Sequence, residues 1–182
     1  WLFIYPKEGV ATVNELALPV DRPVRFLLTS SSVMNAFYIP ELAGMIYTMP
    51  GMQTELNAVI NKPGVFQGLA SHYSGKGFSG MTFKFHGLSD AEFAQWIDKA
   101  RAEGKPLDKA SYLQLARPSE RDPVQRFSSV EPDLYHRVLN RCVEDGQPCM
   151  HETMAKDARR GAAAAPAEPP AHAQHGAGGH HQ

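Results

Sequence analysis

Gly68-Leu69-Ala70-Ser71-His72-Tyr73-Ser74-Gly75-Lys76-Gly77-Phe78-Ser79-Gly80-Met81 runs straight into Thr82-Phe83-Lys84-Phe85-His86, and the join decides how the chain reads. Gly75-x-Gly77-x-x-Gly80 matches the dinucleotide fingerprint letter for letter. That fingerprint works only where a helix follows, because the pyrophosphate sits on the helix N-terminus. Here Met81, Phe83 and Phe85 alternate with Thr82, Lys84 and His86, the period-2 pattern of a half-buried strand. The glycines therefore read as a turn between strands.

Outward from this point the alternation repeats. Val24, Phe26 and Leu28 share one face of a run, and Leu56, Ala58 and Ile60 share one face of another. Turn signals separate the runs at Leu18-Pro19, Arg22-Pro23, Met49-Pro50-Gly51 and Asn61-Lys62-Pro63-Gly64. Residues 1–87 thus read as short strands in a sandwich or barrel. The period changes at residue 88. Ser89 followed by Glu92 is a capping box, and Phe93, Trp96, Ile97 and Ala100 mark one face of a helix that Gly104 and Pro106 end. A second helix is predicted over Asp108 to Ala116, and a third from Pro132 to about Cys142. From about Asp157 the chain is Ala/Pro/Gly/His-rich and aperiodic, which reads as disorder.

The chain has 182 residues, 43% hydrophobic and 20% charged, enough for one modest core with an appendage. A net charge of -1 implies no nucleic acid or acidic polymer as partner. Mean hydropathy is -0.33, and no stretch approaches the ~18 apolar residues of a membrane helix. A start at Trp1 without Met or leader, in the strand-like Trp1-Leu2-Phe3-Ile4-Tyr5, reads as part of a longer protein. Any membrane anchor is expected upstream. Cys142 and Cys149 flank the turn-prone Asp145-Gly146 and Pro148. They read as a local disulfide in an oxidising compartment, or as two free thiols in a reducing one.

The motifs together resemble subunit II of the haem–copper oxidases. Phe37-Tyr38-Ile39-Pro40, Met49-Pro50-Gly51-Met52 and Lys62-Pro63-Gly64-Val65-Phe66 are similar to that family's strand, turn and lead into its metal loop. The family's loop reads Cys-x-Glu-x-Cys-x-x-x-His-x-x-Met around a dinuclear copper centre, with a further His upstream. The two bridging thiolates are essential to that centre, because soft sulfur spreads the electron over both metals. Placing Gly75 and Met81 on the family pattern puts Ala70 and Ser74 at the two Cys positions. His72 falls at the Glu position, Phe78 at the downstream His position and Asn35 at the upstream one. Met81 alone keeps a ligand type, and a lone thioether does not hold copper. The resemblance implies a hydrogen-bonded or apolar plug where the metal would be. The Glu that helps hold magnesium in the family is His72 here, so that metal is not carried over.

This pattern resembles subunit II of the bacterial quinol oxidases of the cytochrome bo type. Phe93, Trp96, Tyr112, Phe127 and Tyr135 are similar to their aromatic-rich extension. The resemblance implies a cupredoxin-like Greek-key β-sandwich over 1–87. It further implies a small helical extension over 88–150 and a disordered tail over 151–182. The implied role is the non-catalytic subunit of a proton-pumping ubiquinol oxidase in the aerobic respiratory chain. It would sit at the periplasmic face of the inner membrane, held there by a segment outside this chain, docking on and stabilising subunit I. Haems and copper are expected in subunit I, with no cofactor and no catalytic residue here. Cytochrome c is not an expected partner. A basic cytochrome is steered by an acidic patch, whereas residues 1–87 carry five acids (Glu8, Glu15, Asp21, Glu41, Glu55) against six bases (Lys7, Arg22, Arg25, Lys62, Lys76, Lys84).

Competing readings are weaker. An electron-transfer copper protein needs Cys in the β-region, and residues 1–141 have none. A Ser–His nucleophile at His72, flanked by Ser71 and Ser74, lacks the flanking pattern of a nucleophile elbow. The alternative is a free-standing cupredoxin-like metal-binding module that uses His172, His175, His180 and His181 of the tail. Phe93, Trp96 and Ile97 read as helix packing, and Trp1, Phe3 and Tyr5 as core and interface residues.

Overall fold

A computed structural model describes residues 1–164. The strands in order are β1 (Leu2–Tyr5), β2 (Val10–Val13), β3 (Glu15–Pro19), β4 (Pro23–Leu28), β5 (Asn35–Ile39), β6 (Ala43–Thr48), β7 (Thr54–Val59), β8 (Gly64–Ala70) and β9 (Thr82–Leu88). Then come α1 (Asp90–Glu103), β10 (Lys105–Leu107), α2 (Lys109–Leu115), β11 (Gln125–Val130), α3 (Leu134–Leu139) and α4 (Met150–Ala164). Residues 1–150 form one compact unit, and the rest of α4 from His151 belongs to a second.

The runs with alternating residues are strands, and their inward faces make the first core. A five-stranded sheet has the order β3-β9-β8-β5-β6, with β3 and β9 parallel and the other neighbours antiparallel. The ribbon β4-β7 closes over it, with Val24, Phe26 and Leu56 packing against Phe37, Ile39, Phe83 and Phe85. This is the mainly β, cupredoxin-like sandwich that the resemblance implies. At its centre Phe37 and Phe83 stack with ring centroids 5.5 Å apart. Trp1 meets Phe37 edge-on at 5.4 Å, and Phe3 meets Phe83 edge-on at 5.0 Å. These offset and edge-on geometries suit the aromatic quadrupole. Gly68 lies opposite Phe83 in register, and any Cβ there would collide with the Phe83 ring.

A second sheet, β1-β2-β11-β10, joins the N-terminal strands to the C-terminal part of the unit. The chain passes from β2 to β3 through Asn14, whose φ of 58° swings it from one sheet to the other. Ala11 and Val13 of β2 meet Leu107, Tyr112, Phe127, Leu134 and Val143 in a second core. Full burial of Phe127 alone is worth about 1.5–3 kcal/mol relative to exposure.

Helix α1 starts where the capping box places it. Ser89 Oγ accepts from Glu92 N, and Glu92 Oε2 accepts from Ser89 N. Its Ile97 and Ala100 are buried in the first core, with Phe93 and Trp96 packed beside them. Gly104 lets the β11 backbone pass close, because a Cβ there would strike Ser128 N and Ala100 O. Helix α2 fills the predicted span, with Asp108 as its cap. Helix α3 is shorter than the reading from Pro132 to Cys142. Asp133 precedes it at φ 61° and Arg141 follows at φ 56°, and these left-handed residues bound the helix. In the second unit, helix α4 extends to Ala164, where the reading from Asp157 expected disorder; its alanines are the strongest helix formers. His172, His175, His180 and His181 lie outside the described residues.

Candidate functional site

Asn35 opens β5 with only 5% of its surface exposed. Its Nδ2 donates to Met81 Sδ at 3.4 Å, and its Oδ1 accepts from Ala36 N at 2.9 Å. From the β8–β9 loop, Ser74 Oγ donates to the same sulfur at 3.7 Å. Asn35, Ser74 and Met81 therefore meet, with a thioether as weak acceptor between two polar side chains. Ala70 ends β8 opposite Phe37, is 4% exposed, and its N–H donates to Met81 O at 3.0 Å. Ser71 N donates to Ala36 O at 3.0 Å, which closes the base of the loop.

The two remaining predicted positions turn elsewhere. His72 stands edge-on to Tyr47 of β6, centroids 5.7 Å apart. Phe78 opens a 3-10 turn, Phe78–Gly80, and meets Tyr73 edge-on at 5.0 Å. Tyr73 is 68% exposed, and Met34, Met45, Tyr47 and Met52 are exposed as well. Met34 precedes Asn35, Tyr47 pairs with Ala36 and meets His72, and Met52 follows β6, whereas Met45 lies farther along that strand. One recess of about 320 Å³ lies between α2 and the segment after it, and another of about 330 Å³ lies against β4 and β7; no loop residue lines either. Among the described residues no group of three or more His, Cys, Asp or Glu side chains comes together as a metal site.

Two features escape a reading of the loop alone. One is a segment of the C-terminal part that lies on the loop. A Cβ on Gly77 would stand 2.8 Å from Glu120 Cγ, and one on Gly80 would stand 2.9 Å from Arg121 Cγ. Lys76 Nζ is 3.7 Å from Glu120 Oε1. The other is Glu15, the lone acid in the buried run Val10 to Leu18. Its Oε2 accepts from Arg126 Nε at 3.2 Å and Nη2 at 3.1 Å, and Arg126 also pairs with Glu103. His86 Nε2 lies 3.2 Å from Glu15 Oε1, close enough for an ion pair but off the line of a directed hydrogen bond. His86 first, then Arg126, hold the Glu15 carboxyl below the usual carboxylate range against its burial. A charge at an inward strand position is the sequence signal that could have found this network. Nearby, burial pushes the Tyr5 phenol up; its OH donates to Ala17 O at 3.1 Å and accepts from Ala17 N at 2.9 Å.

In the C-terminal part of the unit Cys142 and Cys149 are bonded, with Cα atoms 4.8 Å apart. The bridge closes the short turn through Gly146 and brings Met150 back, with Met150 N donating to Asn140 O at 2.9 Å. Tyr135 OH donates to Gln53 Oε1 at 3.0 Å in the turn after β6.

Comparison with known proteins matches residues 7–87 to the periplasmic domain of cytochrome c oxidase subunit II, and residues 101–146 to the oxidase aromatic-rich motif. Subunit 2 of the cytochrome bo(3) ubiquinol oxidase of Pseudomonas aeruginosa is 48% identical over 146 residues, 80% of this chain and 44% of that protein. Ubiquinol oxidase subunit 2 of Acetobacter aceti is 48% identical over 139 residues, 76% of this chain and 45% of that protein. The chain spans about half the length of the curated relatives it matches. Among solved structures, the periplasmic domain of cytochrome oxidase subunit II of Bradyrhizobium japonicum is 27% identical with a TM-score of 0.52. That match covers 56% of this chain and 86% of that one. A subunit II of cytochrome c oxidase, solved in a mixed disulfide with a thioredoxin-like protein, is 30% identical with a TM-score of 0.50, covering 56% of this chain and 84% of that one. The chain belongs to the cytochrome oxidase subunit II family, joining its periplasmic domain to its aromatic-rich motif.

Proposed function

We propose that this chain is the periplasmic part of subunit II of a proton-pumping ubiquinol oxidase, and that it carries no copper centre. The observation that carries this reading is the donor set at the loop. A dinuclear thiolate centre needs two cysteinates and two imidazoles. The matching positions hold Ala70, Ser74, Asn35 and Phe78, and the Met81 sulfur takes hydrogen bonds from Asn35 and Ser74. Neutral amide, hydroxyl and thioether groups do not fit such a centre, so no electron step is assigned to this chain. Electrons from quinol pass to haems and copper in subunit I, and oxygen is reduced there.

The role left to this chain is to dock on subunit I and stabilise it at the periplasmic face of the bacterial inner membrane. The exposed apolar side chains of Met34, Tyr47 and Tyr73 beside the loop support a docking face there, since exposed apolar clusters mark protein contacts. The balance of acids and bases over 1–87 supports a partner set without cytochrome c. The Cys142–Cys149 bridge suits the oxidising periplasm. No described residue favours the free-standing metal-binding module, whose tail histidines lie outside the description.

Purification of the full-length subunit from its own membranes tests the role. Copurification with a haem-bearing subunit and quinol-driven oxygen uptake is the expected outcome. A subunit that purifies free of haem would contradict it.

A further inference from the structure

The segment from Pro118 to Asp122 touches the loop on which the proposed function turns, although 37 residues of chain lie between Gly80 and Pro118. It belongs to the part matched by the aromatic-rich motif, while the loop belongs to the part matched by the periplasmic domain. The Glu120 side chain stands 2.8 Å from where a Cβ on Gly77 would be, and the Arg121 side chain 2.9 Å from where one on Gly80 would be. Lys76 pairs with Glu120 across the same contact.

The segment is held in a shape it would not adopt unaided. Arg121 has φ 54°, a left-handed conformation costing about 1–2 kcal/mol for a residue with a side chain. Three anchors fix it. Ser119 Oγ donates to Asp122 Oδ2, Asn14 Nδ2 donates to Asp122 O at 2.8 Å, and Gln125 begins β11, paired to Val13 of β2. A strained residue held from several sides marks a segment whose position matters.

The loop beneath is a poor structure by itself. Its internal hydrogen bonds are three turn contacts: Phe78 N to Gly75 O at 3.3 Å, Gly80 N to Gly77 O at 2.9 Å and Met81 N to Phe78 O at 3.0 Å. Three glycines in six residues leave much entropy to suppress. No metal–ligand bonds organise it under the proposed function, and the covering side chains stand where such organisation is missing.

We propose that Pro118–Asp122 is a built-in cover for the Gly75–Gly80 loop. It replaces metal ligation as the element that orders the loop, and it denies that flank to an incoming protein electron donor. His72 meets Tyr47 and Tyr73 is exposed, so this part of the loop stays open to contacts. The proposal rests on the reading of the loop as a metal-site framework without its ligands.

Amide hydrogen exchange on the full-length subunit in its native complex tests it. The E120G/R121G variant removes both covering side chains and relieves the strained φ. Exchange of amides 76–81 is expected to rise about tenfold or more, while amides 83–87 of β9 stay as protected as before. G80A is the second variant. Gly80 does not need a left-handed φ, and its new methyl pushes Arg121 away, so the same rise at 76–81 is expected with faster tryptic cleavage after Arg121. Unchanged exchange at 76–81 in both variants would overturn the cover. Failure to copurify with a haem subunit would defeat the proposed function but leave the exchange comparison readable, so the two failures are distinct.

Discussion

Beneath the Ser71–Gly80 loop, Phe37 and Phe83 stack in an offset, near-parallel pair while Trp1, Phe3 and Phe26 close around them. Within the loop, the buried polar contacts are a primary amide and a hydroxyl on one thioether. The first region is dense, and Gly68 leaves no room for a methyl against Phe83. The second joins its parts by interactions worth little individually. The contrast teaches that a metal-site scaffold and the chemistry it hosts are separable. Aromatic packing and backbone pairing keep β5, β8 and β9 in register whether or not the loop carries donors. What a scaffold hosts must be read from the side chains at the ligand positions.

The largest effect is expected in the lower region. Phe37→Ala empties the stack and should cost about 3–5 kcal/mol, read as a fall in the denaturation midpoint at unchanged slope. A cost below about 1 kcal/mol would show that the stack is not what holds the framework. Glu15→Gln comes next, because it weakens a nine-tenths buried carboxylate shared by His86 and Arg126. About 1.5–3 kcal/mol should be lost at neutral pH. The pH dependence follows from the lowered Glu15 value. Between the folded value and the unfolded carboxylate value of about 4.3, the unfolded chain binds more protons. The Glu15 contribution is therefore complete above that range and is lost as pH falls through the folded value. Melting curves of the wild type and Glu15→Gln should converge in acid; a gap that persists there would contradict this assignment.

Gly68→Ala forces the Phe83 ring aside and should cost about 1–3 kcal/mol, with altered near-ultraviolet dichroism from the stack. In the upper region Met81→Leu keeps volume but leaves Asn35 Nδ2 without its acceptor. The expected loss is under about 1.5 kcal/mol, with quinol-driven oxygen uptake unchanged. The smallest effect is expected from His72→Ala, within about 0.5 kcal/mol and again without change in oxygen uptake. Loss of turnover in either loop variant would give the loop a chemical role and erase the contrast.

The sequence showed the lower region more clearly than what surrounds it. Alternation over Val24–Leu28, Leu56–Ile60 and Met81–Phe85 is local, and so is the Ser89–Glu92 capping box; each is visible within a few residues. Lys105–Leu107 has only three residues and no alternation to show, and it is a strand because β11 lies beside it. Arg126 reaches Glu15 across 111 positions, and Glu120 reaches Gly77 across a fold that no local period encodes. Asp133 and Arg141 trim the third helix through positive φ values that their residue types do not announce. The meeting of Asn35, Ser74 and Met81 was legible only because the family pattern placed them on one site. Their hydrogen bonds depend on side-chain directions that no spacing specifies.

The most direct test is copper loading of the full-length subunit, followed by desalting, visible absorption and EPR. No intense thiolate-to-copper band and no retained copper at the loop are expected. A stoichiometric, coloured copper centre abolished by Met81→Leu would contradict that expectation and return the loop to electron transfer.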